Sequence, residues 1–422
     1  MLYLFPKIWY NCSNIFGNDY GFMNNKRASS IDTNDNLDKT HIFIVGCKGI
    51  PAHYGGFETF VDNLVKNQSN LNIKYHVSCM DTGKPEEAEY YNAERYFVKT
   101  PDLHSARAVF YDIRSLKAAI KQIKERKLRD GIVYILACRI GPFVNHYIKK
   151  LHKYGFKVYV NPDGHEWMRA KWSKPVKKYW KLSERLMIKH CDLAICDSIS
   201  IESYICQEYE KYNPKTIYLS YGADTTRSKL KDNAKKLVDF YNKWGIKKKE
   251  YYLMVGRFVP ENNFEYVLKE FVKSDSKKDL VIITNHEWTK FFEYLKEKTG
   301  FENDKRVKFV GTIYDQDLVK KIRENSFAYI HGHSVGGTNP SLLEALASTD
   351  INLLYNCGFN REVAEKGALY FSKEEGDLRK TFNQLDKSTK DLDKLSKLAK
   401  KRIDEHYDWN SIINRYEELW QQ

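Results

Sequence analysis

Three observations predict an α/β fold built from two Rossmann-like, doubly wound domains. The 422 residues exceed what a single hydrophobic core ordinarily serves. Short apolar runs rich in β-branched residues alternate with segments of helical period, the pattern of a parallel sheet with crossover helices. The alternation restarts after Tyr221-Gly-Ala-Asp224, which places a domain boundary there.

Taken in order, Met1–Tyr10 is apolar but too short to span a bilayer, and it lacks the flanks of a signal peptide. Residues 11–40 are polar and rich in Asn, Asp and Ser, so 1–40 is expected to be a disordered leader. Order is expected from His41-Ile-Phe-Ile-Val45, a buried parallel strand. Phe57–Val65 follows with apolar residues at helical spacing. Further strands are expected at 74–79, 132–136, 157–160, 193–196 and 216–219, with helices over 115–127 and 142–154. In the second half, helix 233–244 precedes strand 251–255 and helix 264–272. Strands are then expected at 280–284, 307–310, 327–330 and 351–354, and residues 388–422 read as helical.

The net charge of +14 suits an anionic substrate, an anionic membrane surface or nucleic acid, although abundant Lys, Asn and Tyr also suggest compositional bias. No nucleic-acid recognition motif accompanies the charge. Eight cysteines lack Cys-x-x-Cys pairing, which suggests buried free thiols. The segment 171–189 sets seven Lys and Arg residues beside Trp172, Tyr179 and Trp180, which suits an anionic bilayer or a solvated basic helix.

Two loops stand out. His331–Ala345 runs from a strand through Gly336 and Gly337 into a helix beginning near Pro340, with Thr338 or Asn339 as its cap. Free N–H groups and a helix dipole make such a turn an anion site. Gly55 and Gly56 stand likewise before a helix, where backbone N–H groups can meet phosphate or acceptor oxygens.

Val255-Gly-Arg-Phe-Val-Pro-Glu261, Tyr221-Gly-Ala-Asp224 and Ser334–Glu344 resemble motifs of retaining glycosyltransferases of family 4. Gly49-Ile-Pro-Ala-His-Tyr-Gly-Gly-Phe-Glu-Thr-Phe60 and Asp163-Gly-His-Glu-Trp-Met-Arg-Ala-Lys-Trp172 are similar to signatures of a bacterial rhamnosyltransferase subgroup. The resemblance covers about residues 41–420 and implies a GT-B fold, two Rossmann-like domains facing a cleft. An acceptor-binding domain (41–224, completed by 405–422, a helix crossing back) would face a nucleotide-sugar domain (225–404). It also implies no obligatory metal, a lipid-linked saccharide acceptor, a nucleotide-sugar donor such as dTDP-L-rhamnose, and a peripheral place at the cytoplasmic face of a bacterial plasma membrane.

On that resemblance Arg257 holds the leaving diphosphate and Glu344 the ribose hydroxyls; a carboxylate accepts from a vicinal diol. Gly55, Gly56, Gly337, Thr338, Asn339 and Ser341 complete the donor set, and the last three can also simply cap the helix. Asp163 and His165 are the catalytic candidates beside Arg257, orienting the acceptor hydroxyl or sharing a proton. His53, Tyr54, Glu166 and Arg169 are acceptor-contact candidates, although Glu166 and Arg169 also suit a local ion pair. The sequence departs from the family twice. Asn262 stands where a lysine is usual, and Gly336 where a glutamate faces the donor sugar, which suggests an unusual donor such as a 6-deoxy sugar. UDP- or GDP-sugar transfer and non-hydrolysing epimerisation are the alternatives. A dinucleotide-binding dehydrogenase is excluded because Gly46-Cys-Lys-Gly49 does not form the required glycine turn.

Overall fold

The computed structural model describes residues 39–422 apart from positions 53, 54, 85, 102, 104, 105, 287, 288 and 389–391. The expected leader up to residue 38, and the acceptor candidates His53 and Tyr54, therefore lie outside the described residues.

The first sheet has eight strands: β1 (Thr40–Val45), β2 (Ile73–Met80), β3 (Glu89–Tyr90), β4 (Ala93–Val98), β5 (Ile132–Leu136), β6 (Lys157–Asn161), β7 (Leu193–Cys196) and β8 (Thr216–Tyr218). Their order is β3-β4-β2-β1-β5-β6-β7-β8. All neighbours are parallel except the β3–β4 pair. Helices α1 (Gly56–Lys66), α2 (Arg107–Glu125), α3 (Gly141–His152), α4 (Lys174–His190) and α5 (Ile199–Glu208) lie between strands. The second sheet has six: β9 (Tyr251–Val255), β10 (Asp279–Ile283), β11 (Val307–Gly311), β12 (Ala328–His331), β13 (Asn352–Tyr355) and β14 (Leu369–Phe371), in the order β11-β10-β9-β12-β13-β14. Its helices are α6 (Lys235–Trp244), α7 (Phe264–Val272), α8 (Lys290–Thr299), α9 (Gln316–Glu324), α10 (Pro340–Ser348), α11 (Gly358–Ala364) and α12 (Asp377–Lys387). Helices α13 (Leu392–His406) and α14 (Trp409–Trp420) close the chain.

The central strands are apolar because both their faces are covered. Ile42, Phe43, Ile44 and Val45 of β1 are fully buried, as are Tyr251, Tyr252 and Leu253 of β9. Chain order reverses between β1 and β5, and again between β9 and β12. Loops leaving the carboxyl ends of such neighbours run toward opposite edges and open a crevice, where ligands of open α/β sheets bind. The site is therefore expected in the loops after β1, β5, β9 and β12.

Helix α14 returns to the first sheet. Tyr416 and Trp420 are fully buried and pack with Phe60 and Tyr134 at ring separations of 5.1 and 5.5 Å respectively. The indole N–H of Trp420 donates to Tyr75 Oη at 3.1 Å, and Glu417 accepts the N–H groups of Ser69 and Asn70 at 2.8 and 3.1 Å. At the crossing, Ala223 N–H donates to Tyr407 O at 2.7 Å. A Cβ on Gly222 would lie 2.3 Å from the Trp409 ring, so no larger residue fits between the connector and the returning helix.

Strand β14 and helices α8, α9, α11 and α12 were not among the expected elements, and two further differences concern the first sheet. The β3–β4 hairpin was not expected, because β4 carries Glu94 and Arg95. Arg95 is buried nonetheless, with Nη1 donating to Ile50 O at 2.9 Å. Helix α2 starts eight residues before the expected 115, at Arg107.

Removing the Trp420 side chain leaves a large cavity and an unpaired Tyr75 hydroxyl. Trp420→Ala is expected to lower the unfolding free energy by about 3–5 kcal/mol, read from the urea midpoint at unchanged slope. An unchanged midpoint would mean that α14 contributes little to the first domain.

Candidate active site between the two sheets

The loop after β9 is tied to the loop after β12. Asn263 Nδ2 donates to Gly332 O at 2.6 Å, and Ser334 donates twice to Glu261 O, from N at 3.0 Å and from Oγ at 2.8 Å. Asn262 Nδ2 donates to Arg257 O at 2.7 Å while its Oδ1 meets His333 Nδ1 at 2.9 Å. A Cβ on Gly332 would lie 2.2 Å from Asn262 O, so only glycine permits this approach. Arg257 itself is exposed.

Beyond that tie the chain turns into α10. Gly336 has φ +127°, a conformation that glycine adopts freely. Pro340 opens α10, and Asn339 Oδ1 accepts from Ser341 N–H at 2.9 Å as the cap. Ser341 Oγ lies 3.0 Å from Tyr329 Oη, which donates to Val255 O at 3.1 Å. Thr338 Oγ1 donates to Asp197 O at 2.7 Å, so this hydroxyl joins the two halves. Glu344 lies one turn further along α10. Its carboxylate pairs with buried Arg323 at 2.9 Å and is one-third exposed, so it is oriented yet reachable.

Opposite stands the loop after β6. Asp163 has φ 60°, and its N–H donates to Asn161 Oδ1 at 2.8 Å. Burial holds the Asp163 carboxyl above the usual range; Arg169 opposes this most, and Arg139 and Arg257 also draw it down. Arg257 of the other half therefore bears on the charge of Asp163. Arg169 lies 3.4 Å from Asp163 and 2.5 Å from Glu166. Glu166 also takes Lys171 at 3.2 Å and the Trp172 indole N–H at 2.8 Å. The local ion pair envisaged for Glu166 and Arg169 therefore forms, and Glu166 spends its carboxylate on the loop itself. The ring of His165 lies 4.1 Å from that of Tyr204. Burial, then Lys181, lower its pKa.

After β1, Gly55 has φ +128°, and a Cβ there would lie 1.9 Å from Glu58 Oε2. Glu58 folds back to accept Lys48 N–H at 2.8 Å, so Gly55 makes room for the carboxylate that shapes this loop. Gly56 has open space around it, and α1 has no side-chain cap, leaving its first N–H groups available.

Several residues at the site escaped the sequence reading. Arg139, after β5, donates to Gly46 O at 2.9 Å and pairs with fully buried Asp112 at 3.2 Å. Asp197, after β7, is buried, and a Cβ on Gly337 would strike its Oδ1 at 1.9 Å. Glu261 and Glu362 bind the halves. Glu261 Oε1 accepts Ala170 N–H at 2.6 Å, while Glu362 accepts Ile199 N–H at 2.9 Å and Ser200 N–H at 3.1 Å. The available signal was topological, because Arg139 and His333 directly follow the two switch-point strands.

Residues 239–402 match the family model of glycosyl transferases group 1. Over those residues the chain is similar to that group. Residues 39–224 match a model described as a domain of unknown function, DUF1972. The matched segment carries Arg257, the 331–345 loop and Glu344. A search of curated proteins finds no sequence match. Solved structures are similar in fold over most of the chain. Sucrose-phosphate synthase from Thermosynechococcus elongatus aligns with TM-score 0.72 and 14% identity, over 91% of this chain and 99% of that one. Alr3699/HepE of Anabaena in complex with UDP-glucose gives 0.64 and 12%, over 90% and 98%. A structure described as trehalose-6-phosphate from E. coli bound with UDP-2-fluoro glucose gives 0.66 and 11%, over 91% and 99%. The fold is GT-B.

Three buried histidines link this architecture to pH. Burial pushes His76 down to about 4 and His331 to about 3, from an ordinary 6.5, and His333 well below it. A histidine depressed on folding binds fewer protons folded than unfolded between its two pKa values. Its contribution is complete above about pH 6.5 and is lost as pH falls toward the folded value. Taken by themselves these histidines are expected to lower the melting temperature by roughly 5–7 °C between about pH 7.5 and about pH 5, with proton uptake on unfolding. A flat calorimetric profile over that range would contradict neutral burial.

Proposed function

We propose that this chain is a retaining transferase that moves a 6-deoxyhexose, L-rhamnose in the first instance, from its dTDP donor to a lipid-diphosphate-linked saccharide. The observation that carries the reading is that Asn262 and Asn263 hold the loop bearing Arg257 against the loop that turns into α10. A diphosphate between Arg257 and the α10 N-terminus would meet a guanidinium and the positive end of the helix dipole together, while the first helical N–H groups are already taken by Asn339. Gly337, Thr338, Asn339 and Ser341 line that turn, and the N–H groups at Gly55 and Gly56 are assigned to phosphate or acceptor oxygens. Glu344, preset by Arg323, suits the ribose diol.

The transfer breaks the anomeric C–O bond of the donor and forms one to the acceptor oxygen on the same face. The leaving diphosphate oxygen takes the acceptor proton. Stabilising the charge that develops on that oxygen is the largest catalytic contribution, and Arg257 supplies it. Asp163 orients the acceptor hydroxyl or faces the oxocarbenium-like sugar. Its elevated pKa reflects burial, so it keeps that role in a site from which closure excludes water. The protein groups supply the positive charge, so no metal is expected to be required.

The basic segment supports a peripheral membrane role. Lys174, Lys178, Arg185 and Lys189 are exposed on α4, and Leu182 is exposed among them. The aromatics differ from expectation: Trp180 is buried, and the Tyr179 hydroxyl donates to Arg139 O at 2.8 Å. The cations alone would therefore meet an anionic leaflet. Among the described residues no helix is long and apolar enough to cross a membrane.

A second reading, a UDP-sugar donor, is favoured by the UDP-sugars held by HepE and the E. coli structure. The test is a panel of dTDP-, UDP- and GDP-sugars with lipid-linked acceptors, read by mass spectrometry and by proton NMR of the new linkage. dTDP-L-rhamnose turnover with the donor's anomeric configuration kept is expected. Turnover of UDP-glucose alone would establish the second reading. Conversion of the donor without acceptor would show an epimerase.

A further inference from the structure

His333 directs an unshared imidazole lone pair at the donor loop. Its Nδ1 is 2.9 Å from Asn262 Oδ1. The amide nitrogen of Asn262 is already committed to the Arg257 carbonyl, so the oxygen is the end that faces the ring. An amide oxygen can only accept. His333 Nδ1 must therefore carry the hydrogen, and Nε2 keeps its lone pair. Burial, His331, Arg169 and Arg257 are what bear on the ring's charge, in that order, and all oppose a second proton. Asn360 Nδ2 donates to the His333 carbonyl at 3.1 Å and fixes the backbone.

Nε2 has no hydrogen-bond partner among the described residues. A Cβ on Gly336 would stand 3.4 Å from it, so the loop passes this nitrogen at contact distance without a side chain. An acceptor with a fixed tautomer on a largely buried ring, left unused beside the start of α10, fits a ligand hydroxyl.

We infer that His333 Nε2 accepts a hydrogen bond from a hydroxyl of the donor sugar, and that Asn262 is the positioning residue that sets the required tautomer. The inference rests on the donor occupying the 336–341 turn, as proposed above. It gives Asn262 and Gly336 one joint purpose: the first orients the ring and the second leaves its nitrogen uncovered. A neutral acceptor recognises the hydroxyl without adding negative charge beside the departing diphosphate. A site built to pair with a hydroxyl also discriminates against a sugar that lacks it.

The test is calorimetric titration of wild type, His333→Phe and Asn262→Asp with dTDP and with dTDP-L-rhamnose. His333→Phe is expected to bind dTDP within about two-fold of wild type and dTDP-L-rhamnose about ten-fold more weakly. In Asn262→Asp the ionised partner draws a proton onto the ring, so Nε2 becomes a donor. Sugar-nucleotide affinity should then fall as pH drops and return as it rises, while wild type stays flat through the neutral range. His333→Phe changing both affinities equally, or neither, overturns the inference, as does an Asn262→Asp profile as flat as wild type. A wild-type protein that binds neither ligand overturns the donor reading instead, before any variant is compared.

Discussion

The cleft depends on one tie, the asparagine pair that joins the loop after β9 to the loop after β12. These loops belong to adjacent strands whose connections run to opposite sides of the sheet, so nothing in the sheet holds them together. Asn263 grips Gly332 O and Asn262 spans from Arg257 O to His333. Each is buried, so each bond broken would leave a desolvated polar group, worth about 1–3 kcal/mol. The tie fixes where Arg257 leaves the sheet and where the turn into α10 begins. In this chain Asn262 adds no charge; it orients neighbours.

The two halves then close on glycines and on backbone N–H groups. Gly337 sits against the Asp197 carboxyl, and Gly164 comes near Gly336 and Ile201, where a Cβ would collide with Ile201 Cδ1 at 2.3 Å. Glu261 and Glu362 accept N–H groups of the opposite half, and Glu362 does so at the start of α5, where a carboxylate also meets the favourable end of the helix dipole. Shape thus permits the approach, and a few charge-assisted bonds hold it. Helix α14, seated on the first sheet, ties the chain's end to the half where it began.

Much of this was legible from the residues. The alternating apolar runs located the central strands, and β5, β7 and β9 begin and end where the sequence places them. Pro340 and Asn339 marked the start of α10 because an N1 proline and an N-cap side chain are local requirements. The β3–β4 hairpin was hidden because its burial of Arg95 depends on carbonyls distant in sequence. Distance hid Arg139, Asp197 and Glu362 in the same way, since each matters through a partner 27 to 163 residues away. His165 carried a catalytic expectation from its place in the polar cluster after β6, and the left-handed turn at 163–165 sets its ring beside Tyr204, a contact distant in sequence.

The account stands on Arg257 meeting a diphosphate at the switch point of the second sheet. Equilibrium titration of thymidine and of dTDP against wild type and Arg257→Ala tests this most directly, because the two ligands differ only in the diphosphate. The account predicts equal thymidine affinity and a loss of about ten- to hundred-fold for dTDP, the worth of a charge-assisted bidentate contact. Equal dTDP affinity in the two proteins would contradict it.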